Sequence, residues 1–316
     1  MALIDFLREL DEEVSTVVAS DFEVEVVETK YVPTFDDSYI TYDNLDSKIK
    51  RCKLLESCVL YVDIRNSARI SAAKQPKTLA KMYSSFVRSM IAAARYFGGH
   101  VRNIIGDRVM VVFDQENCFE NAVDTAILMN TISKHILNNR IKALDFRCGI
   151  GIDYGQMLIT KAGAIRRGAE TEFYRSLVWL GRPANTASRL TDLAHKTETS
   201  YLPGVAEGHH YPVTDKWGWY DYTYEQFLER LEITYSPQLR HKEPYFKTFF
   251  TKSIGPYKHT HPAILMSGVV HAGFVDARPS DSSIQQGWWR RQDIKVKDYA
   301  GDVYGGDVVF SAVYDL

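Results

Sequence analysis

The sequence predicts an α+β protein built on a split βαβ sheet covered by helices on one face. β-rich runs and amphipathic helical patterns alternate in the order β-α-ββ-α-β-β-α. One long helical pattern stops at Gly98-Gly99, as glycine stops helices. A hairpin turns on Gly106-Asp107, a Gly-first pair suited to a tight type II′ turn. The 316 residues, 45% hydrophobic and 25% charged, can bury a core and fit one large domain or one domain with an extension. A net charge of −2 gives no global electrostatic reason to expect nucleic acid or a membrane surface as partner. No apolar run is long enough to span a bilayer, and "MALIDFLRELDEEV" is acidic where a signal peptide is basic, so a cytoplasmic location is expected. Cys52, Cys58, Cys118 and Cys148 lack metal-ligand spacing and read as buried, reduced thiols.

Leu3, Ile4, Leu7, Leu10, Val14, Val17 and Val18 fall at helical spacing. They predict an amphipathic N-terminal helix that packs on the body or on a partner subunit. Residues 1–53 form this helix and an extension, and the regular part, 54–316, begins at Leu54. "CVLYVDI" is a strand ending in an aspartate, and one helical stretch follows to Gly98-Gly99. After the hairpin come a helix from Glu116 to about Leu137, "LDFRCGIGIDYGQMLIT" and "RSLVWLG" as strands, and a helix from Pro183 to Ala194. Residues 196–262 change texture and read as a folded insertion. Its Trp217, Trp219, Tyr220, Tyr222 and Tyr224 could form a docking surface for a partner, but core or dimer packing is the preferred reading. His209, His210, His259 and His261 raise a metal, yet the His pair beside a proline reads as an exposed loop. "AILMSGVV" and "DIKVKDYAGDVYGGDVVFSAV" return to sheet.

Asp63 ends a buried strand and Asp107 sits at a hairpin tip, where backbone geometry can expose two carboxylates at one sheet edge. Two such aspartates can hold hard divalent cations, although each alone would read as a cap or a turn. Asn66 and Ser67 precede a helix whose N-terminus would suit phosphate. Asn185 and Arg189 lie four apart on one helical face, so both can reach one ligand, the arginine meeting phosphate. Lys297, in "IKVKDYAG", reads equally as a strand-end lysine pointing into water.

Together, "YVDI", "NIIGDRVMVVF", "GRPANTASRL" and "VKDYAG", in this order, resemble the class III nucleotidyl cyclases, the adenylate and guanylate cyclase catalytic domains. The resemblance covers about Leu54 to Ala194 and resumes from about Ala263. It implies a ferredoxin-type βαββαβ sheet and attack of a ribose 3′-hydroxyl on the α-phosphate of the same nucleoside triphosphate, releasing pyrophosphate. It implies that Asp63, Asp107 and the Ile64 carbonyl bind two divalent ions, Mn²⁺ or Mg²⁺. Arg189 would stabilise the transferring phosphate, Asn185 would orient the ribose, Lys297 would hold the terminal phosphates, and Asp63 is a candidate proton acceptor. It also implies a homodimer with shared active sites, each drawing its metal half and its Asn/Arg half from different subunits.

Two positions depart from the family. The side chains that read a purine are replaced by Asn103, three residues before the hairpin glycine, and Val178, three before Gly181. Ser67 and Ala68 also replace a bulkier Phe-Thr pair. The pattern is most similar to the bacterial pyrimidine cyclases of the Pycsar antiphage systems. That implies UTP or CTP as substrate, with uracil favoured because a neutral amide, Asn103, replaces the charged readers. A phage-derived activator is also implied. The alternatives are a cytidylate cyclase, a purine cyclase with unusual recognition, and a nucleotide-binding pseudo-cyclase working through the aromatic insertion.

Overall fold

The computed structural model describes residues 2–141, 146–162, 164–166, 169–170, 176–234 and 238–315. The predicted strand start at Leu144-Asp145, and Arg175 before "SLVWLG", lie outside the described residues. The chain divides into two compact units, Met1–Lys196 with His261–Leu316, and Thr197–Thr260.

The first unit opens with α1 (Leu3–Val18), none of whose residues is buried. Its apolar face is not buried against the body: Leu3, Leu7, Leu10 and Val14 are exposed. Strand β1 (Glu23–Thr29) runs parallel to the first half of β2 (Ile49–Ile64). The sheet therefore starts before Leu54, with β1 inside the expected extension and β2 from Ile49, because β1 supplies a partner for residues whose own pattern is too polar to signal a strand. Along β2 the side chains alternate. Cys58, Leu60, Val62 and Ile64 enter one core, while Leu55 and Val59 enter a second.

The single helix expected after Asp63 is two, α2 (Ser67–Ala73) and α3 (Pro76–Tyr96). Pro76 sits at the first position of α3, where a missing N–H costs nothing, and it forces the preceding residue out of helical geometry. Gln75 is accordingly extended, with ψ 148°. Met82, Phe86, Met90, Ala93 and Ala94 line the buried stripe of α3. The helix ends as Gly98 turns to φ 71° and the Gly99 N–H bonds the Ala94 carbonyl at 2.8 Å, a Schellman closure.

Strands β3 (His100–Ile105) and β4 (Arg108–Val112) form the predicted hairpin. Only Gly106 of its two turn residues has positive φ, 61°, as a type II′ turn requires. Next comes α4 (Cys118–Thr131), running into one stretch of π-helix, Ile132–Leu137. Strand β5 (Cys148–Ala162) pairs antiparallel with β2, and β6 (Ser176–Leu180) pairs with the far end of β5. Helix α5 (Arg182–Leu193) carries Pro183 in its first turn.

The sheet was expected to be covered by helices on one face, but it is covered on both. Helices α3 and α4 pack on the core entered by Leu60 and Val62, whereas Ala184 and Ala187 of α5 join the core entered by Leu55 and Val59. The cause lies in β5. Gly149 and Gly151 share a face, and a Cβ on Gly151 would stand 2.3 Å from the Ala187 carbonyl oxygen and 2.4 Å from the Thr191 nitrogen. Two glycines in alternate positions let the backbone of α5 lie directly on the sheet.

The second unit is a three-stranded sheet in which β7 (Thr197–Tyr211) lies between β8 (Lys216–Thr223) and β9 (Phe246–Thr260). A short helix, α6 (Tyr224–Glu229), starts from a Thr223/Gln226 capping box. One expectation fails here. His209 is not in an exposed loop; it lies on β7, buried, and bonds Glu207 at 2.8 Å. Glu207 is fully buried and also takes His241 at 3.0 Å and Arg230 at 3.1 Å. Burial pushes its pKa up, but the bonds from His209 and His241 outweigh that and hold it below the usual range. His259 is exposed and His261 is buried. For the tryptophans, the core half of the core-or-dimer reading does not hold. Trp217 and Trp219 are each 53% exposed and stack on each other at 6.1 Å.

Back in the first unit, β10 (Ile264–Ser267) pairs parallel to β5. The sequence after it is not strand, as "AILMSGVV" suggested, but α7 (Gly268–Ala277). It starts at Ser267-Gly268, whose Gly268 N–H is taken by the Asp302 carbonyl at 2.7 Å. Strands β11 (Arg290–Gln292) and β12 (Val303–Gly306) complete that edge, β12 antiparallel to β10. Among the described residues no helix is long and apolar enough to cross a membrane. All four cysteines are buried with free thiols.

Candidate active site

Asp63 occupies the position on β2 where the side facing α5 runs out of apolar partners. Leu55 and Val59 fill that face, Tyr61 packs beside them, and Asp63 follows two residues later at the strand end. Ile64 closes β2 with its side chain buried in the opposite core, so only its carbonyl can serve the site. The hairpin brings Asp107 alongside. The pKa of Asp107 is raised, first by burial and then by the hydrogen-bonding reach and charge of Asp63, while the Ser67 hydroxyl draws it back. Asp63 Oδ1 and Asp107 Oδ2 are both buried and have no hydrogen-bond partner. Two close carboxylates with one free oxygen each, facing no donor, are what a divalent cation satisfies, since buried carboxylates otherwise repel and lose solvation. The residues fit the ions the family implies. Among the described residues no third acidic, His or Cys ligand joins the pair.

Ser67 is the first residue of α2, and Asn66 before it adopts a left-handed conformation with φ 59°. The Ser67 side chain is thus turned to Asp107, while Asn66 is exposed.

Two arginines that the sequence reading passed over organise the pair. Arg108 donates from Nη2 to Asp63 Oδ2 at 2.8 Å, from Nη1 to Ser188 Oγ at 2.8 Å, and to Asp192 Oδ1. Burial opposes its charge, but the bonds to Asp63 and Asp192 prevail and its pKa is raised. Arg65 reaches the Thr191 carbonyl at 2.8 Å and the Asp192 carbonyl at 3.1 Å, with Asp63 Oδ2 at 3.8 Å. Burial lowers its pKa against the pull of Asp63 and Asp192. Both tie the carboxylate end of β2 to the last turn of α5, where carbonyls favour cations. The signal for Arg108 was available: it shares a strand face with Met110 and Val112, which are buried, and a charge on such a face requires a partner.

The second cluster lies on another face of α5. Asn185 is exposed and Arg189 half-buried. Arg189 pairs with Asp298 at 2.8 Å and donates to the Lys297 carbonyl. Lys297 is exposed and does not end a strand. It lies in a turn closed by a Val296–Tyr299 bridge, with Asp298 at φ 56°. The fold therefore brings Asp63 to Asp107, which Arg108 ties to α5, and Arg189 of α5 to the Lys297 segment, as two clusters.

Asn103 owes its place to a bulge. The register of β3 on β4 shifts between Val101 and Asn103, so that Asn103 pairs with Met110 and falls on the α5 side of the sheet; bulges re-aim side chains in this way. Val178 pairs with Thr160, while its neighbours Leu177 and Trp179 enter the α5-side core, so within one chain alternation places Val178 on the opposite face from Asn103.

Comparison with known proteins agrees with this geometry. Residues 51–200 match the adenylate and guanylate cyclase catalytic domain. A uridylate cyclase from Burkholderia cepacia is 31% identical over 177 residues, 54% of this chain and 72% of that protein. One from Gulbenkiania mobilis is 28% identical over 186 residues, 55% of this chain and 67% of that protein. The chain belongs to the class III cyclase family. A solved bacterial light-regulated adenylyl cyclase is 15% identical with a TM-score of 0.49, covering 84% of this chain and 55% of that one. By its family membership this chain is a nucleotide cyclase, and the stretch matched to the catalytic domain contains Asp63, Asp107, Asn185 and Arg189 but ends before Lys297.

Proposed function

We propose that the chain is a pyrimidine nucleotide cyclase that converts UTP to 3′,5′-cyclic UMP and pyrophosphate. The observation that carries this reading is the pair of buried, partnerless oxygens on Asp63 and Asp107, found where the purine readers of the family are absent at Asn103 and Val178. The uridylate cyclases among its relatives support the choice of base. Two divalent ions at Asp63 and Asp107, with the Ile64 carbonyl as a further ligand, would supply a more acidic 3′-hydroxyl and neutralised phosphates. The other roles belong to side chains. Arg189 would leave Asp298 for the α-phosphate, exchanging one acidic partner for another, and stabilise charge as it develops. Asn185, one turn earlier on the same face, would hold the ribose. Lys297, exposed beside Arg189, would take the terminal phosphates, with Asn66 and Ser67 at the start of α2. Asn103 offers an acceptor and two donors on an exposed strand position, enough to pair with a pyrimidine edge. The site would be completed across a homodimer, and the product would serve as a second messenger in antiphage defence.

The purified protein, incubated with Mn²⁺ and each of the four nucleoside triphosphates in turn, should yield cyclic UMP as the main product by mass spectrometry. Cyclic CMP as main product would make it a cytidylate cyclase, and a cyclic purine nucleotide would return it to the purine branch. No cyclic product from any of the four would leave only the pseudo-cyclase.

A further inference from the structure

Asp63 has two carboxylate oxygens in different situations. Oδ1 is buried and partnerless. Oδ2 already holds a cation, the Arg108 guanidinium at 2.8 Å. A carboxylate that serves two metal ions needs both oxygens, and here one of them is occupied by the protein's own positive charge. Arg108 is not free to be elsewhere by accident. Its Nη1 is fixed on Ser188 Oγ and its Nη2 is shared with Asp192, both on α5, so the guanidinium is held in place beside Asp63 by two further bonds. Those same bonds mean that it keeps partners if it gives up Asp63, which makes the exchange of Asp63 Oδ2 from arginine to metal inexpensive.

We propose that Arg108 acts as an internal counter-cation on Asp63. In the nucleotide-free protein it limits the Asp63–Asp107 pair to one divalent ion, and a second binds only when Arg108 withdraws to Ser188 and Asp192. The inference rests on the reading of Asp63 and Asp107 as metal ligands. Arg108 is a positioning residue in this account, acting through Asp63 and touching no substrate. It makes full assembly of the site depend on the arrival of the triphosphate, whose own negative charge brings the second ion with it.

The test is the number of Mn²⁺ ions bound per chain without nucleotide, counted from the loss of the free-ion signal in electron paramagnetic resonance. The wild-type chain should bind one. Arg108→Met, which keeps the aliphatic stem, and Arg108→Gln, which keeps a donor for Ser188 and Asp192, should each bind two, the added ion binding at least about tenfold more tightly than any second ion on the wild type. A gain of binding is a result that structural damage does not produce, and thermal melting of both variants checks that they are folded. Two ions on the wild type, or one on both folded variants, overturns the proposal. Asp63→Asn in the Arg108→Gln background should lose both ions; if it keeps them, the assignment of Asp63 as ligand falls, and the proposal with it.

Discussion

A buried carboxylate oxygen without a donor costs on the order of 1–3 kcal/mol, and among the described residues three aspartates carry one: Asp63, Asp107 and Asp153. The first two sit next to each other, at a strand end and a hairpin tip. Asp153 is different, because it lies in the interior of β5 and is only 1% exposed. Burial pushes its pKa up, against the nearby hydroxyls of Ser267 and Thr186, the Tyr154 backbone and the charge of Arg182. Thr186 belongs to α5, one residue after Asn185. The sign of the effect on stability follows from the direction of the shift. With a folded pKa above the unfolded one, the contribution of Asp153 is fully present below the unfolded value near 4 and is lost as pH rises through the folded value. Asp153→Asn removes the ionisation and keeps the shape. The urea midpoint of the variant should therefore exceed that of the wild type by pH 7, by the equivalent of on the order of 1 kcal/mol, and the difference should vanish near pH 4. A difference independent of pH would show that the carboxyl group contributes through packing alone.

At the scale of elements, the decisive contact is the crossing of α5 over β5. A methyl group on Gly151 would meet the Ala187 carbonyl and the Thr191 nitrogen, backbone atoms that cannot rotate aside, so the helix itself has to lift. Gly151→Ala should destabilise the fold by about 1–3 kcal/mol, read as a lower urea midpoint. It should reduce turnover beyond what lost stability explains, because α5 carries Asn185 and Arg189 on one face and anchors Arg65 and Arg108 by another. If the folded fraction of the variant retains full turnover, the position of α5 does not matter to the site. This crossing was the part of the fold least legible beforehand. The hairpin and α3 could be read because Gly106-Asp107 and Gly98-Gly99 are local signals whose meaning needs no distant partner. Gly149 and Gly151 are not local in that sense: in sequence they only weaken a strand, and their use appears once a helix forty residues later rests on them. For the same reason β1, which needs β2 beside it, is marked by the sequence only as part of an extension, and His209, which needs Glu207, Arg230 and His241 around it, reads as exposed. Asp63, Asp107, Asn185, Arg189 and Lys297 were found through their joint order, whereas Arg65 and Arg108 became visible only through the carboxylate and the helix end that they connect.

The whole molecule presents its two clusters on different faces of α5, with Asp63 and Asp107 joined to Ser188 and Asp192 through Arg108, and Arg189 turned to Asp298. Three to four residues along a helix rotate a side chain by most of a turn or by slightly more than one, so Ser188 and Arg189, being adjacent, point about 100° apart. One nucleotide cannot easily be reached by both faces of the same helix, which is the geometric case for sites completed between two copies related by twofold symmetry. That arrangement makes a quantitative prediction. With the roles proposed above, Asp63→Asn would disable the metal half of every site and Arg189→Ala the phosphate half, so each variant alone should be inactive. In a mixture at equal concentration with free exchange of subunits, about half the dimers pair one variant with the other. Each such dimer combines the intact metal half of one subunit with the intact helix half of its partner at one site, and both lesions at the other. The mixture should recover about a quarter of wild-type turnover, rising with incubation as subunits exchange. If each chain instead carried a complete site of its own, mixing would restore nothing at any ratio, since no chain in the tube would hold an undamaged set.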